Sequence, residues 1–327
     1  MSSPDPTLST VSERSANLDV AMDAMEFAAC VSEGRAALSE APVTHREFLA
    51  ADLVAATKLD PRAVRARLDR VIMGADPETA LDALLQTGVL SALLPEVQAM
   101  VNFSDGEWRH KDVWKHTKQV VRQAECKLEV RWGALFHDIG KVKTRSISPD
   151  GKVQFLGHAE VGTRMFDKLE RRLGLFGHEQ ALQGSVRFLV LHHLRAAQYD
   201  KSWTDSAVRR FTRDIGEHLG DLLCLSRADI TTKRPEKKKR GIDQLDALAS
   251  RIASLAVEDA VVPPLPSGVG DEIMKAFGLR PSRLIGDIKR ALESGVESGA
   301  IVSHQPCDYY VELVRSDRAR FGIPETV

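Results

Sequence analysis

The sequence is poor in cysteine. Its 327 residues include Cys30, Cys126, Cys224 and Cys307, each standing alone with no C-x-x-C pair. That excludes a zinc ribbon and a disulfide scaffold, and it fits a reducing, cytoplasmic setting. Aromatic residues are only 6%, whereas Ala, Leu and Val abound, which leans towards helix. There is no charge excess either: 45 Lys+Arg against 46 Asp+Glu leave a net charge of -1. Any nucleic-acid contact must therefore come from a local patch. No run approaches the roughly eighteen apolar residues that span a bilayer, so no membrane partner is expected. Residues 1–15, Ser/Pro-rich and without an apolar stretch, predict a disordered tail and not a secretory signal. What the chain does have is 43% hydrophobic residues, enough for a sizeable core. Its length suits about two folding units.

Helical periodicity runs from Ala16 onwards and strand-like alternation is scarce, so the expected fold class is all-α. Leu49, Leu53 and Ala56 mark one apolar face. Asp60-Pro61 opens a helix containing Val64, Leu68 and Val71, and Asp76-Pro77 caps another whose apolar face runs from Leu81 to Leu90. A polar loop, Asn102 to Lys111, reads as a boundary. Pro149-Asp150-Gly151, within residues 147–155, predicts a short hairpin or lid loop. After Asp229 comes the basic run Lys233, Arg234, Lys237, Lys238, Lys239 and Arg240, and residues 263–268 read as a further linker.

Histidines are few, yet several fall where core residues belong. Val113, Thr117, Val120, Val121 and Ala124 define a buried stripe, and His116 lies inside it. An apolar helix through Trp132, Leu135 and Phe136 delivers His137 and Asp138 just before Gly140, which can stop it. Asp229, seven residues after Leu222, sits on an inward face, where an unpaired carboxylate is very costly. One His, then His-Asp, then a distant Asp suits a divalent metal, and four such ligands leave positions for water and substrate. His158 and the adjacent pair His192 and His193 are candidates for a second metal position. The choice between His192 and His193 stays open, because both have apolar neighbours. Lys141 is placed to hold a substrate phosphate, and the run from Lys233 to Arg240 is a candidate nucleic-acid contact.

Asp112-Val-Trp-Lys-His116-Thr, Ala134-Leu-Phe-His137-Asp138-Ile-Gly-Lys141, Gly157-His158-Ala-Glu-Val-Gly162 and Ser226-Arg-Ala-Asp229 resemble the HD-domain superfamily of metal-dependent phosphohydrolases. More narrowly, they resemble the HD domain of bacterial CCA-adding tRNA nucleotidyltransferases and related poly(A) polymerases. Ala80 to Glu96 is similar to the helical neck of that family. Pro264 to Met274, with Gly278 to Gly286, is similar to its tail. The likeness covers roughly residues 44 to 300.

The family's nucleotidyltransferase head should precede the neck, with a Gly-Ser turn and an Asp-x-Asp pair. About 45 residues stand before the neck here, and they hold no such pattern. Nucleotide addition by this chain alone is therefore not expected. The resemblance implies a helical neck over 16–101, an HD domain over 102–235, and a basic linker with a helical tail over 236–327. It further implies one or two divalent ions (Mg, Mn, Ni, Co or Fe) and hydrolysis of nucleotides or RNA ends carrying 2′,3′-cyclic or terminal phosphates. His137, Asp138 and Lys141 would serve catalysis. The rival expectations are a tRNA-binding partner of a separate nucleotidyltransferase, with a vestigial site, and a nucleotide-responsive regulatory module.

Overall fold

The computed structural model of the chain describes residues 11–41, 59–103, 112–260 and 263–323. Residues 1–10, the face of Leu49, Leu53 and Ala56, and most of the polar loop, residues 104–111, lie outside the described residues. Val11 to Ser15, expected to continue the tail, instead begin the first helix. Among the described residues the architecture is all-α with one two-residue β-ladder.

The chain divides into two compact units, residues 1–253 and 254–327. In the first unit, α1 (Val11–Ser32) packs on α2 (Pro61–Met73) and α3 (Pro77–Gln86). Both α2 and α3 start as expected. Asp60 accepts from the Arg62 N–H and Asp76 from the Thr79 N–H, each with proline at the first helical position. The apolar face expected to run unbroken from Leu81 to Leu90 is two helices. Thr87 ends α3 and Gly88, at φ 80°, turns the chain into α4 (Val89–Leu93). Leu94 and Pro95 then lead into α5 (Pro95–Gln98).

The site rests on the next helices. Asp112 caps α6 (Val113–Gln123) by accepting from the Lys115 N–H at 3.1 Å. A second helix, α7 (Leu128–Phe136), is buried along almost its whole circumference, the pattern of a central helix. It touches α6, α2 and two later helices, α10 (Gln180–His192) and α12 (Leu219–Ala228). Gly133 permits the approach of α10, since a Cβ there would meet Leu189 at 3.1 Å. Trp132 stacks on Phe136 and meets Phe176 edge-on, and Phe166 closes the aromatic core between Phe136 and Phe176. Truncating a fully buried aromatic of this kind costs about 3–5 kcal/mol.

Between these helices lie α8 (Lys141–Thr144), the hairpin of β1 (Ser146–Ile147) and β2 (Val153–Gln154), and α9 (His158–Leu173). The hairpin is antiparallel, with Ser146 opposite Gln154, and turns at Gly151. Next, α11 (Asp205–Ile215) is capped by Thr204. The basic run is only in part a loop: Lys233 and Arg234 precede α13 (Pro235–Ala260), Lys237 to Arg240 belong to its opening turns, and the boundary between the units falls within this helix.

The second unit packs α14 (Val269–Phe277), α15 (Arg283–Glu297) and α16 (Cys307–Ser316) around Ile273, Ile288, Leu292 and Tyr310. The Tyr310 hydroxyl donates to the Val302 carbonyl at 2.9 Å. Among the described residues, no helix is long and apolar enough to cross a membrane.

Candidate metal centre

Three buried imidazoles are set by one local device. Nδ1 of His137 lies 2.8 Å from the Ala134 carbonyl, that of His158 2.8 Å from the Phe155 carbonyl, and that of His193 2.9 Å from the Val190 carbonyl. Each partner is three residues upstream. A carbonyl only accepts, so each Nδ1 carries a proton and each ring is turned to present its Nε2 to the site. His116 is held differently, by a 2.8 Å contact between its Nδ1 and the Thr231 hydroxyl.

The four Nε2 atoms converge on Asp138, which is 1% exposed. Its Oδ2 lies 3.4 Å from His116 and 3.2 Å from His137, and its Oδ1 lies 3.5 Å from His158 and 3.9 Å from His193. The imidazoles thus form two pairs. Nε2 of His116 and His137 are 3.3 Å apart, and those of His158 and His193 are 3.2 Å apart. Asp229, at the end of α12, adds Oδ1 at 3.0 Å from His116 and 3.6 Å from His137. It is about a third exposed, so it stands at the open side. Lys141 donates to Asp138 Oδ2 at 2.7 Å, and its ammonium lies over the Phe155 ring.

Charge reinforces this arrangement. Burial raises the Asp138 carboxyl, but the His137 imidazole, hydrogen bonds from His116 and His137, and Lys141 outweigh it and hold the group well below the carboxylate range. Burial likewise raises Asp229, and contacts with His116 and His137 hold it low. His116 is pushed down by burial, yet its hydrogen bonds to Asp138 and Asp229 leave it above the ordinary imidazole value. Burial and the neighbouring His137 bring His193 down to about 4.

These residues fit a divalent cation. Two nitrogens each about 2.1 Å from a common ion, at an angle near 105°, stand about 3.3 Å apart, close to the spacing in both pairs. Two lone pairs at that distance repel unless positive charge lies between them. Two groups have the donor set and mutual spacing for an ion: His116 with His137 and Asp138, and Asp138 with His158 and His193. Asp138 belongs to both.

His192 does not join them. Successive helical residues point about 100° apart, and its ring packs on Phe188 at 4.3 Å, with His218 on Phe188 at 4.4 Å. The expectation that His192 is a metal candidate is therefore corrected in favour of His193. The role expected of Gly140 is corrected too. Its φ of -70° is no left-handed stop; a Cβ there would come within 2.0 Å of the His158 carbonyl oxygen and 2.6 Å of the Gly162 nitrogen. The glycine lets the end of α7 touch the start of α9, which brings Asp138 to His158.

Lys233, Arg234, Lys237, Lys238, Lys239 and Arg240 lie outside the cluster, all exposed. Thr231 was not found by sequence reasoning. It follows Asp229 by two and is buried, but nothing in its spacing marks it as a partner of a histidine 115 positions away.

Residues 113–249 match the family model for the HD domain. The chain is also similar to the A-adding tRNA nucleotidyltransferase of Deinococcus radiodurans, 30% identical over 76% of this chain and 57% of that protein. A CC-adding tRNA nucleotidyltransferase of Thermus thermophilus is 29% identical over 78% of this chain and 57% of its own length. The Multifunctional CCA protein of Halorhodospira halophila shares 31% identity over 37% of this chain and 30% of its own. The chain spans just over half the length of the first two relatives. The stretch that carries the paired imidazoles is thus an HD domain, set in a chain similar over three quarters of its length to the tRNA nucleotidyltransferases.

Proposed function

We propose that this chain is a divalent-metal-dependent phosphohydrolase acting on nucleotides or RNA ends with a 2′,3′-cyclic or terminal phosphate. His116, His137, Asp138 and Asp229 would hold one ion, and Asp138, His158 and His193 a second. The observation that carries this reading is the two pairs of facing Nε2 atoms on either side of one buried carboxylate. Mg, Mn, Fe, Co and Ni all accept such ligands. When bound, the metal supplies Lewis-acid polarisation of a phosphoryl oxygen and a water of lowered pKa.

The remaining work belongs to the chain itself. Asp138 stays ionised through the working pH range and offers one oxygen to each imidazole pair. The Lys141 ammonium, beside Asp138 Oδ2 and one-fifth exposed, offsets negative charge that builds on a phosphoryl group. Asp229 marks the side from which a phosphate ester enters. The tRNA-acting relatives make a tRNA end a reasonable substrate. The unpaired cysteines suit the cytoplasm.

The test is a metal-by-substrate panel. Chelated protein is reloaded singly with Mg, Mn, Fe(II), Co or Ni, then given 2′,3′-cyclic AMP, 2′-AMP, 3′-AMP and an RNA oligonucleotide ending in a 2′,3′-cyclic phosphate. Hydrolysis with at least one ion and none in chelator is expected. Inertness together with sub-stoichiometric metal would favour a tRNA-binding role with a vestigial site. Tight nucleotide binding without turnover would favour a regulatory module.

A further inference from the structure

Two strings of cations leave the centre from two of its carboxylates. From Asp138 the chain runs through Lys141 into Lys143 and Arg145, the last two exposed. From Asp229 it runs through Thr231, tied to His116, into Lys233 and Arg234, and then into the first turns of α13 with Lys237, Lys238 and Arg240. The second string is fixed to the site by packing as well. Gly241 leaves room for Ile230, whose Cδ1 would lie 3.0 Å from a Cβ at that position.

What marks these strings is a run of cations beside the centre with little counter-charge, although Arg164, Lys168, Arg171, Lys201, Arg210 and Arg213 of the same unit also show no ion pair within the described residues. Arg172, Arg187, Arg195, Arg227 and Arg251 are paired with Glu96, Asp167, Asp214, Asp246 and Asp205. In the two strings Lys141 is tied to Asp138 and Lys239 to Asp243. Lys143, Arg145, Lys233, Arg234, Lys237, Lys238 and Arg240 show no ion pair within the described residues. In a chain with nearly equal numbers of cations and anions, residues 233–240 hold six cations and one anion.

The placement also works against the helix. Cations are favoured at a helix C-terminus, and like charges three or four residues apart repel. Residues that weaken their own element in this way are explained by a polyanion outside it.

We infer that the two strings form one phosphate-backbone track through the centre, and that the partner it fits is single-stranded RNA and not a mononucleotide. The inference takes its register from the hydrolytic centre proposed above, but its test needs no turnover. Electrostatic contact with the backbone makes affinity fall with salt, by about 0.7 in the log–log slope per phosphate contact on a single strand.

The experiment is fluorescence anisotropy of a labelled RNA 12-mer with the full chain, in EDTA, across rising NaCl. The wild type should bind at low salt with a steep slope. The variant K233S/K237S/K238S should lose about two units of slope, and K143S/R145S about one. All five positions are exposed, and a circular-dichroism melt checks each fold. Absence of RNA binding by the wild type at low salt overturns the inference, as does a wild-type slope in either variant. Because the chelator removes metal, a protein inert on phosphate esters that still binds RNA keeps the track while sinking the hydrolase reading. An active enzyme that ignores RNA does the reverse.

Discussion

Nε2 of His158 stands 3.2 Å from Nε2 of His193, and the proton of each ring is committed at Nδ1 to a carbonyl three residues upstream. When both rings are neutral the facing nitrogens have only lone pairs to offer one another. His137 is set in the same way and faces His116, whose own Nδ1 meets the Thr231 hydroxyl, so two imidazole pairs flank Asp138. Such convergence of acceptors is costly in a low-dielectric interior unless a cation relieves it.

Asp138→Asn and His137→Ala should each remove hydrolysis by more than about 100-fold, since loss of a mere outer partner of a metal ligand costs about 10–100-fold. Metal content should fall in step, while the circular-dichroism melt stays cooperative. Full turnover in either variant with an intact melt would contradict the ligand assignment.

Thr231→Val tests how His116 is positioned. The hydroxyl that fixes its Nδ1 is lost while the bulk remains. We expect metal affinity to weaken by about 10–100-fold, with kcat recovering when metal is raised to saturation. A kcat that stays low at saturating metal would assign Thr231 another role.

These contacts also show what the sequence could and could not reveal. The stripe of Val113, Thr117, Val120 and Val121 was legible because a 3.6-residue period puts those positions on one face, and His116 fell within it. The caps at Asp60 and Asp76 were legible because they act within three residues. The choice between His192 and His193 was not, because both follow apolar residues and helical phase at a helix end decides it. The break at Gly88 was hidden by apolar residues on both sides of it. Thr231 and the Gly140–His158 contact were hidden because they are long-range meetings that leave no periodic trace.

His158→Ala should lower turnover strongly and keep part of the bound metal, because the His116, His137 and Asp138 group is untouched. His192→Ala should keep the full metal content, since its ring lies on Phe188. Metal analysis of the two purified variants checks this. Equal losses in both would return His192 to the site, and wild-type turnover and metal in His158→Ala would make His158 structural.

Metal affinity should fall as pH drops, and the fall should begin above pH 6.5. His116 holds its proton above the ordinary imidazole value and must release it to bind metal. Below its raised pKa, one released proton costs about tenfold in affinity per pH unit. His193, held at about 4, is neutral at pH 6–8 and adds nothing to that slope. Without metal the sign reverses for His116: its contribution to stability is complete below its unfolded pKa and is lost as pH rises through the folded one. Manganese titrations at pH 6, 7 and 8 measure the first effect. An affinity independent of pH over that range would contradict it.

The central claim is that Asp138 joins two metal positions. Anomalous diffraction at the manganese edge, from crystals of the wild-type protein soaked in Mn, tests it most directly. The account predicts two peaks about 3.5–4 Å apart, the separation of two-metal sites, with Asp138 Oδ2 at one and Oδ1 at the other. A single peak among His116, His137 and Asp229, with none between His158 and His193, would contradict it.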